Sequence, residues 1–274
     1  MTATDGTAGT PGTGQYAQVN GINLYYETHG SGRPLILLHG GLGSGEMFGP
    51  ILPALAGRHQ VIAPDLQGHG RTADIDRPID IRLMADDIAA LIDHLGLDRP
   101  DLVGYSLGGG VALQIAIRHP DVVRKLVAVS TPFKRGGWYP EIQIASAAMN
   151  AQVAEAMKQT PLYAAYAKVA PRPQDWPQVV TKLGHLLGTE YDWSAQVTAI
   201  KAPVMIVVGD ADAVRPAHAV EFFGLLGGGR ADAGWDGSKV PIAKLNILPG
   251  LTHYTIFATP QLATTVLPFL TANR

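Results

Sequence analysis

Cysteine is absent from this chain of 274 residues. That removes disulfides, thiolate metal sites and every cysteine-nucleophile mechanism. Charge of one sign is scarce as well: 21 Lys and Arg stand against 23 Asp and Glu, a net charge of -2. Such a balance provides no basic field for nucleic acid and no polybasic membrane anchor. No apolar run approaches the length of a membrane span. No H-x-x-x-H metal spacing and no G-x-x-x-x-G-K-[ST] phosphate loop occurs, so neither a metal nor a cofactor is expected. The glycines between Gly40 and Gly43 lack the acidic ribose partner of a dinucleotide loop. Asp86 and Asp87 are neighbours on one predicted helix; they point apart and make no catalytic pair.

Met1 to Gly14 contain no apolar run after positive charge, which a secretory leader requires. They read as a disordered tail, and the expected location is the cytoplasm. What remains is 46% hydrophobic and 16% charged, the balance of a soluble chain with a large core. The length suits a single α/β domain.

Tyr16 to Asn20 and Ile22 to Glu27 alternate around Asn20-Gly21, a hairpin signal. Pro34 to Leu38 and Gln60 to Asp65 are short apolar runs suited to strands buried on both faces. Helical patterns are expected near Glu46 to Leu55 and over Ile81 to Leu95, the second stopping at Gly96. Further strands are expected at Lys125 to Ser130, Val204 to Val208 and Ala243 to Leu248. A last helix opens with Thr259 as N-cap and Pro260, running to Leu270. Between Thr131 and Ile200, proline-punctuated helical patterns replace the strand-helix alternation. The organisation predicted is a tail at 1–14, an α/β core at 15–131 and 201–274, and a helical cap at 132–200. The alternation means a mostly parallel sheet, and the cap would lie over the carboxyl ends of its strands.

Gly104-Tyr105-Ser106-Leu107-Gly108 spells G-x-S-x-G. It follows the apolar Pro100-Asp101-Leu102-Val103 and opens the helical Val111 to Ile117. Strand, tight turn and helix are the context of a nucleophile elbow, in which small neighbours let strand and helix approach. A serine hydroxyl needs a base, and the base needs a carboxylate to fix its tautomer. Two later loops can supply them: Gly209-Asp210-Ala211-Asp212, and Pro249-Gly250-Leu251-Thr252-His253. Two histidines follow the acid-bearing loop: His218 reads as a helix or surface residue, whereas His253 stands in the loop just after a strand. For the acid, Asp212 is preferred over Asp210, because the extra residues let its carboxylate reach the next loop, whereas Asp210 can cap the turn locally. Two backbone donors for the oxyanion are expected from Leu107 N–H and from Gly41 N–H in His39-Gly40-Gly41.

Together with Pro64 to Arg71, these motifs resemble the α/β-hydrolase fold superfamily, in particular its capped esterase, lipase and haloperoxidase-like branch. The resemblance covers Tyr16 to Arg274. It implies an eight-stranded, mostly parallel sheet flanked by helices, a helical cap, and Ser106, Asp212 and His253 as a triad. It makes the Asp65 to Arg71 loop structural, so His69 is not the base. Two departures stand out. The gap between acid and histidine is longer than usual and holds a glycine-rich insertion at Gly227 to Ser238, read as a flexible surface loop whose Trp235 could fold back or meet a partner. Leu251-Thr252 stands where a small residue and a glycine are common.

The function expected is hydrolysis of small to medium apolar carboxylic esters through an acyl-enzyme, with a small-molecule ester as the only partner implied. Met47, Phe48, Tyr105 and Trp138 are candidate pocket walls. Haloperoxidase or perhydrolase activity, lactone opening and carbon–carbon bond hydrolysis are the alternatives on the same triad. A receptor-like protein with a nearly silent triad is the alternative of another class. Oligomeric state is not readable from the sequence.

Overall fold

A computed structural model describes residues 13–272. Most of the expected tail, residues 1–12, lies outside the described residues; Thr13 and Gly14 instead open the first strand. Residues 13–15 pair with Thr28 to Tyr26, so main-chain pairing carries the strand beyond its apolar alternation. The hairpin joins β1 (Thr13–Val19) to β2 (Ile22–His29). Asn20 and Gly21 both take positive φ, 47° and 79°, as a two-residue hairpin turn requires.

The chain then alternates: β3 (Arg33–Leu38), α1 (Leu52–Ala56), β4 (His59–Pro64), α2 (Ile81–His94), β5 (Asp101–Tyr105), α3 (Leu107–Arg118) and β6 (Leu126–Val129). The expected helix near Glu46 to Leu55 is split into a 3-10 turn, Gly45–Phe48, and the short α1. Pro50 separates them, since it lacks the N–H that a continuing helix needs. Between β6 and the next strand come α4 (Pro140–Ala147), α5 (Ala151–Met157), α6 (Pro161–Val169), α7 (Trp176–Gly188) and α8 (Ser194–Val197). The chain ends with β7 (Val204–Ala211), α9 (Pro216–Leu225), β8 (Lys244–Thr252) and α10 (Pro260–Thr271). Residues 227–238 are an excursion before β8, and Trp235 at its tip is fully exposed rather than folded back.

The strands form one eight-stranded sheet in the order β1-β2-β4-β3-β5-β6-β7-β8. β2 pairs antiparallel with β1 and β4, and the pairs from β4 through β3, β5, β6 and β7 to β8 are parallel. Alternate residues of each strand enter different cores. Ile36, Leu38 and Leu102 pack with Met84, Ile88 and Val111 of α2 and α3 on one face. Leu35, Leu37 and Val103 pack with Leu55, Leu262 and Val266 of α1 and α10 on the other. Each such buried aliphatic contributes about 1.5–3 kcal/mol, which fixes the strand registers. The register sets Leu38 beside Gly104, Tyr105 beside Val129, and Val129 beside Val207. The carboxyl ends of β3, β5 and β6 therefore stop at one level, β7 runs on past it to Ala211, and the loops leaving them meet. No helix among the described residues is long and apolar enough to cross a membrane.

Candidate active site

Ser106 stands between β5 and α3 at φ 52° and ψ -116°, a strained conformation for any residue with a side chain. Close approach on both sides makes the turn so tight. A Cβ at Gly104 would collide with the carbonyl of Gly108, and one at Gly108 with the carbonyl of Leu38. The turn is pinned by Ser106 N–H donating to Val129 O at 2.9 Å and by Thr131 Oγ1 donating to Ser106 O at 2.9 Å.

The loops after β7 and β8 converge on this turn. His253 Nε2 lies 3.1 Å from Ser106 Oγ, and its Nδ1 lies 2.9 Å from Asp212 Oδ1. An ionised carboxylate only accepts, so Nδ1 carries the proton and Nε2 is left to accept the serine hydroxyl. Asp212 is buried, and both its oxygens are filled. Oδ1 also accepts Val214 N–H at 3.1 Å, and Oδ2 accepts Gly209 N–H at 3.1 Å together with the Ser130 hydroxyl. Burial alone would raise its pKa; the hydrogen bond and charge of His253, with the donors Ser130 and Gly209, outweigh burial and hold the carboxyl below the usual range. Asp210 is exposed and turned away, accepting Gly250 N–H at 2.8 Å.

Two hydroxyls to which the sequence reading gave no part in holding the acid or the base complete this arrangement. Ser130, fully buried at φ 50°, follows β6 directly and aims its hydroxyl at Asp212. The Tyr105 hydroxyl, a pocket candidate in the sequence, donates to the carbonyl of His253 at 2.6 Å. Burial, then the nearby Asp212 charge, pushes that phenol upward, so it stays a donor.

Gly41 and Leu107 both line the cavity above Ser106, and among the described residues neither N–H meets an acceptor. The Gly41 turn rests on His39, whose Nδ1 lies 2.7 Å from Gly40 O while Nε2 accepts Leu66 N–H at 3.0 Å. Burial pushes His39 down to about 4, so it is a neutral strut. His69 packs beside it and bonds Gln67 O at 2.8 Å, away from Ser106. Asp86 and Asp87 diverge, the first to Arg118 and His119, the second to Arg77 and Asn20. Among the described residues no group of three or more His, Asp or Glu gathers as a metal ion would need.

The cavity over Ser106 has a volume of about 530 Å³. Met47, Tyr105 and Trp138 line it, joined by Leu183, Tyr191 and Trp193 from the segment between β6 and β7. Phe48 does not: it is wholly buried on the α1 and α10 face of the sheet with Leu37 and Val103. Successive residues of a 3-10 turn point about 120° apart, so Met47 and Phe48 cannot share a wall.

The fold and this constellation define a class. A family model described as the alpha/beta hydrolase fold matches residues 33–165, and the eight-stranded sheet with its flanking helices has that fold. The chain is 42% identical over 117 residues to the soluble epoxide hydrolase of Corynebacterium sp. (strain C12), covering 42% of this chain and 40% of that protein. Its matches span about two fifths of the length of such curated relatives. Among solved structures, E-2-(acetamidomethylene)succinate hydrolase superposes with a TM-score of 0.75 at 23% identity, covering 96% of this chain and 100% of the other. Carboxylesterase CesB (YbfK) from Bacillus subtilis superposes at 0.71 and 22% identity, covering 96% and 92%. At these identities the shared property is the fold.

Proposed function

We propose that this chain is a serine hydrolase of carboxylic esters with Ser106, His253 and Asp212 as its triad. The observation that carries the reading is the unbroken relay from Ser106 Oγ to His253 Nε2 at 3.1 Å and from Nδ1 to Asp212 at 2.9 Å. His253 takes the hydroxyl proton as Ser106 attacks the carbonyl carbon, and Asp212 stabilises the imidazolium. The N–H groups of Gly41 and Leu107 receive the oxyanion, an effect worth about 10²–10³ in rate for each donor. His253 then protonates the leaving alcohol. Water, activated by the same histidine, releases the acid and regenerates Ser106. The helices of 132–200 act as the cap that walls the substrate from solvent.

Nucleophile chemistry discriminates among the reactions that similar proteins carry in their names. Attack of a serine oxygen on an epoxide carbon would leave an alkyl ether, which water does not cleave under these conditions. Attack on an acyl carbon leaves an ester, which the same machinery hydrolyses. Ser106 therefore favours carbonyl substrates over epoxides. The full set of donors on Asp212 favours turnover over a silent, receptor-like site.

The test is hydrolysis of p-nitrophenyl butanoate together with labelling by a fluorophosphonate. Wild-type protein should turn over the ester and take the label at Ser106, and Ser106→Ala should lose both. Absence of both in the wild type would sink the reading.

A further inference from the structure

The cavity has two walls of different chemistry. Beside the oxyanion turn it is aliphatic: the Leu183 side chain lies against Gly41, with Met47 and Leu186 close by. On the His253 side it is aromatic. The Trp138 ring centroid lies 5.4 Å from that of His253 at an interplanar angle of 76°. Tyr191 lines the cavity with Trp138 and packs on Trp193 with centroids 4.6 Å apart. The far edge of the Trp193 indole lies over Gly110, in the first turns of α3.

This panel is mounted on backbone ladders rather than on a free loop. Residues 133–135 pair antiparallel with residues 191–193 around Lys134 and Asp192, through Arg135 N–H to Tyr191 O and Trp193 N–H to Phe133 O, both 3.0 Å. Trp138 pairs with Val214, flanked by Tyr139 N–H to Ala213 O at 3.2 Å and Arg215 N–H to Gly137 O at 3.0 Å. Three rings held in this way form a preorganised surface, which loses little freedom when a flat group lies on it.

The direction of the reaction says which part of the substrate meets it. The leaving oxygen takes its proton from His253 Nε2 and so must come within hydrogen-bond reach of that atom. The group attached to that oxygen then passes Trp138, while the acyl chain is left the aliphatic side. We propose that the alcohol arm of the substrate carries an aromatic ring, received by Trp138, Tyr191 and Trp193. The inference rests on the ester-hydrolase reading for its orientation.

Competitive hydrolysis of equimolar 2-phenylethyl and 2-cyclohexylethyl butanoate tests it. Cyclohexyl is the more apolar ring, so burial alone favours it. Ring–ring contact should reverse the order, making kcat/KM about two- to tenfold higher for the phenyl ester. Trp138→Leu and Trp193→Leu should bring the ratio to one or below. In parallel, Ser106→Ala protein should bind the intact phenyl ester more tightly than the cyclohexyl ester by calorimetry, a readout independent of turnover and of the Leu variants. Equal or reversed preference in the wild type and in Ser106→Ala overturns the proposal, as does a preference that survives both Leu substitutions. If Ser106→Ala prefers the phenyl ester while the wild type cleaves neither, the aromatic site stands and the hydrolase reading falls.

Discussion

Ser130 offers the sharpest test of how the acid is held. Its hydroxyl and Gly209 N–H are the two donors on Asp212 Oδ2, while Oδ1 is held by His253 and Val214. A hydrogen bond to a charged group contributes about 1.5–3 kcal/mol. Ser130→Ala removes one of four donors, and at neutral pH the carboxylate stays ionised in both proteins. Only the orienting part of the bond then reaches the transition state, so kcat/KM should fall about five- to twentyfold. Stability changes with a defined sign. The folded carboxyl sits below its unfolded value because burial is outweighed by His253, Ser130 and Gly209. Its contribution is therefore present above about pH 4 and lost as pH falls through the folded value. Ser130→Ala raises the folded value and shrinks that contribution. Since Ser130 has φ 50°, Ser130→Gly removes the hydroxyl and also relieves the backbone. It should match the alanine variant in rate and exceed it in Tm. Rate–pH profiles and thermal melts of both variants supply the assay; rates within twofold of wild type for both would refute the account.

Asp212→Asn should lower kcat by about 10⁴ through loss of the tautomer-fixing acceptor, whereas Asp210→Asn should stay within a few-fold. Steady-state kinetics showing the reverse would assign the acid to Asp210. Tyr105→Phe removes the 2.6 Å bond to His253 O and should lower kcat about three- to tenfold with KM little changed, because it loosens the histidine and not the pocket. A change confined to KM would count against that role. Gly108→Ala drives a Cβ into the Leu38 carbonyl and should cost about 3 kcal/mol in denaturant unfolding, as the elbow cannot widen without parting α3 from β3.

Much of the fold was legible because its signals are local. The runs at Leu35 to Leu38 and Val204 to Val208 are apolar over whole strands because helices cover both faces of the sheet. The elbow glycines stand where backbone meets backbone. Ser106, Asp212 and His253 could be picked out because each leaves the carboxyl end of a strand, in the order this fold imposes. Ser130 could not. Its role follows from β6 lying beside β7, with Val129 level with Val207, and that adjacency is a property of strand order rather than of any stretch of sequence. Phe48 was misplaced for a local reason, since apolar character does not say which way a residue of a 3-10 turn faces. β8 was expected to end near Leu248 but reaches Thr252, because an irregular register between Gly209 and Ala211 lets pairing resume beyond Pro249.

The ladder between Gly137–Tyr139 and Ala213–Arg215 joins two regions that the chain order keeps apart. Ala213 follows Asp212 directly, and Val214 donates to Asp212 Oδ1 at 3.1 Å. Trp138, which pairs with Val214, is at once a wall of the cavity and a neighbour of the His253 ring. A ligand that displaces Trp138 therefore pulls on the strand that holds the carboxylate, and one that fits leaves the relay undisturbed. Misfit is then felt in kcat as well as in binding, because the surface that reads the substrate and the loop that orients the base share hydrogen bonds. The aliphatic wall is held differently: Leu183 and Leu186 project from α7, and among the described residues no backbone hydrogen bond joins α7 to the acid loop. The two sides of the cavity thus differ in mechanical consequence as well as in chemistry, and selectivity for the alcohol arm should be exerted more strongly than selectivity for the acyl chain.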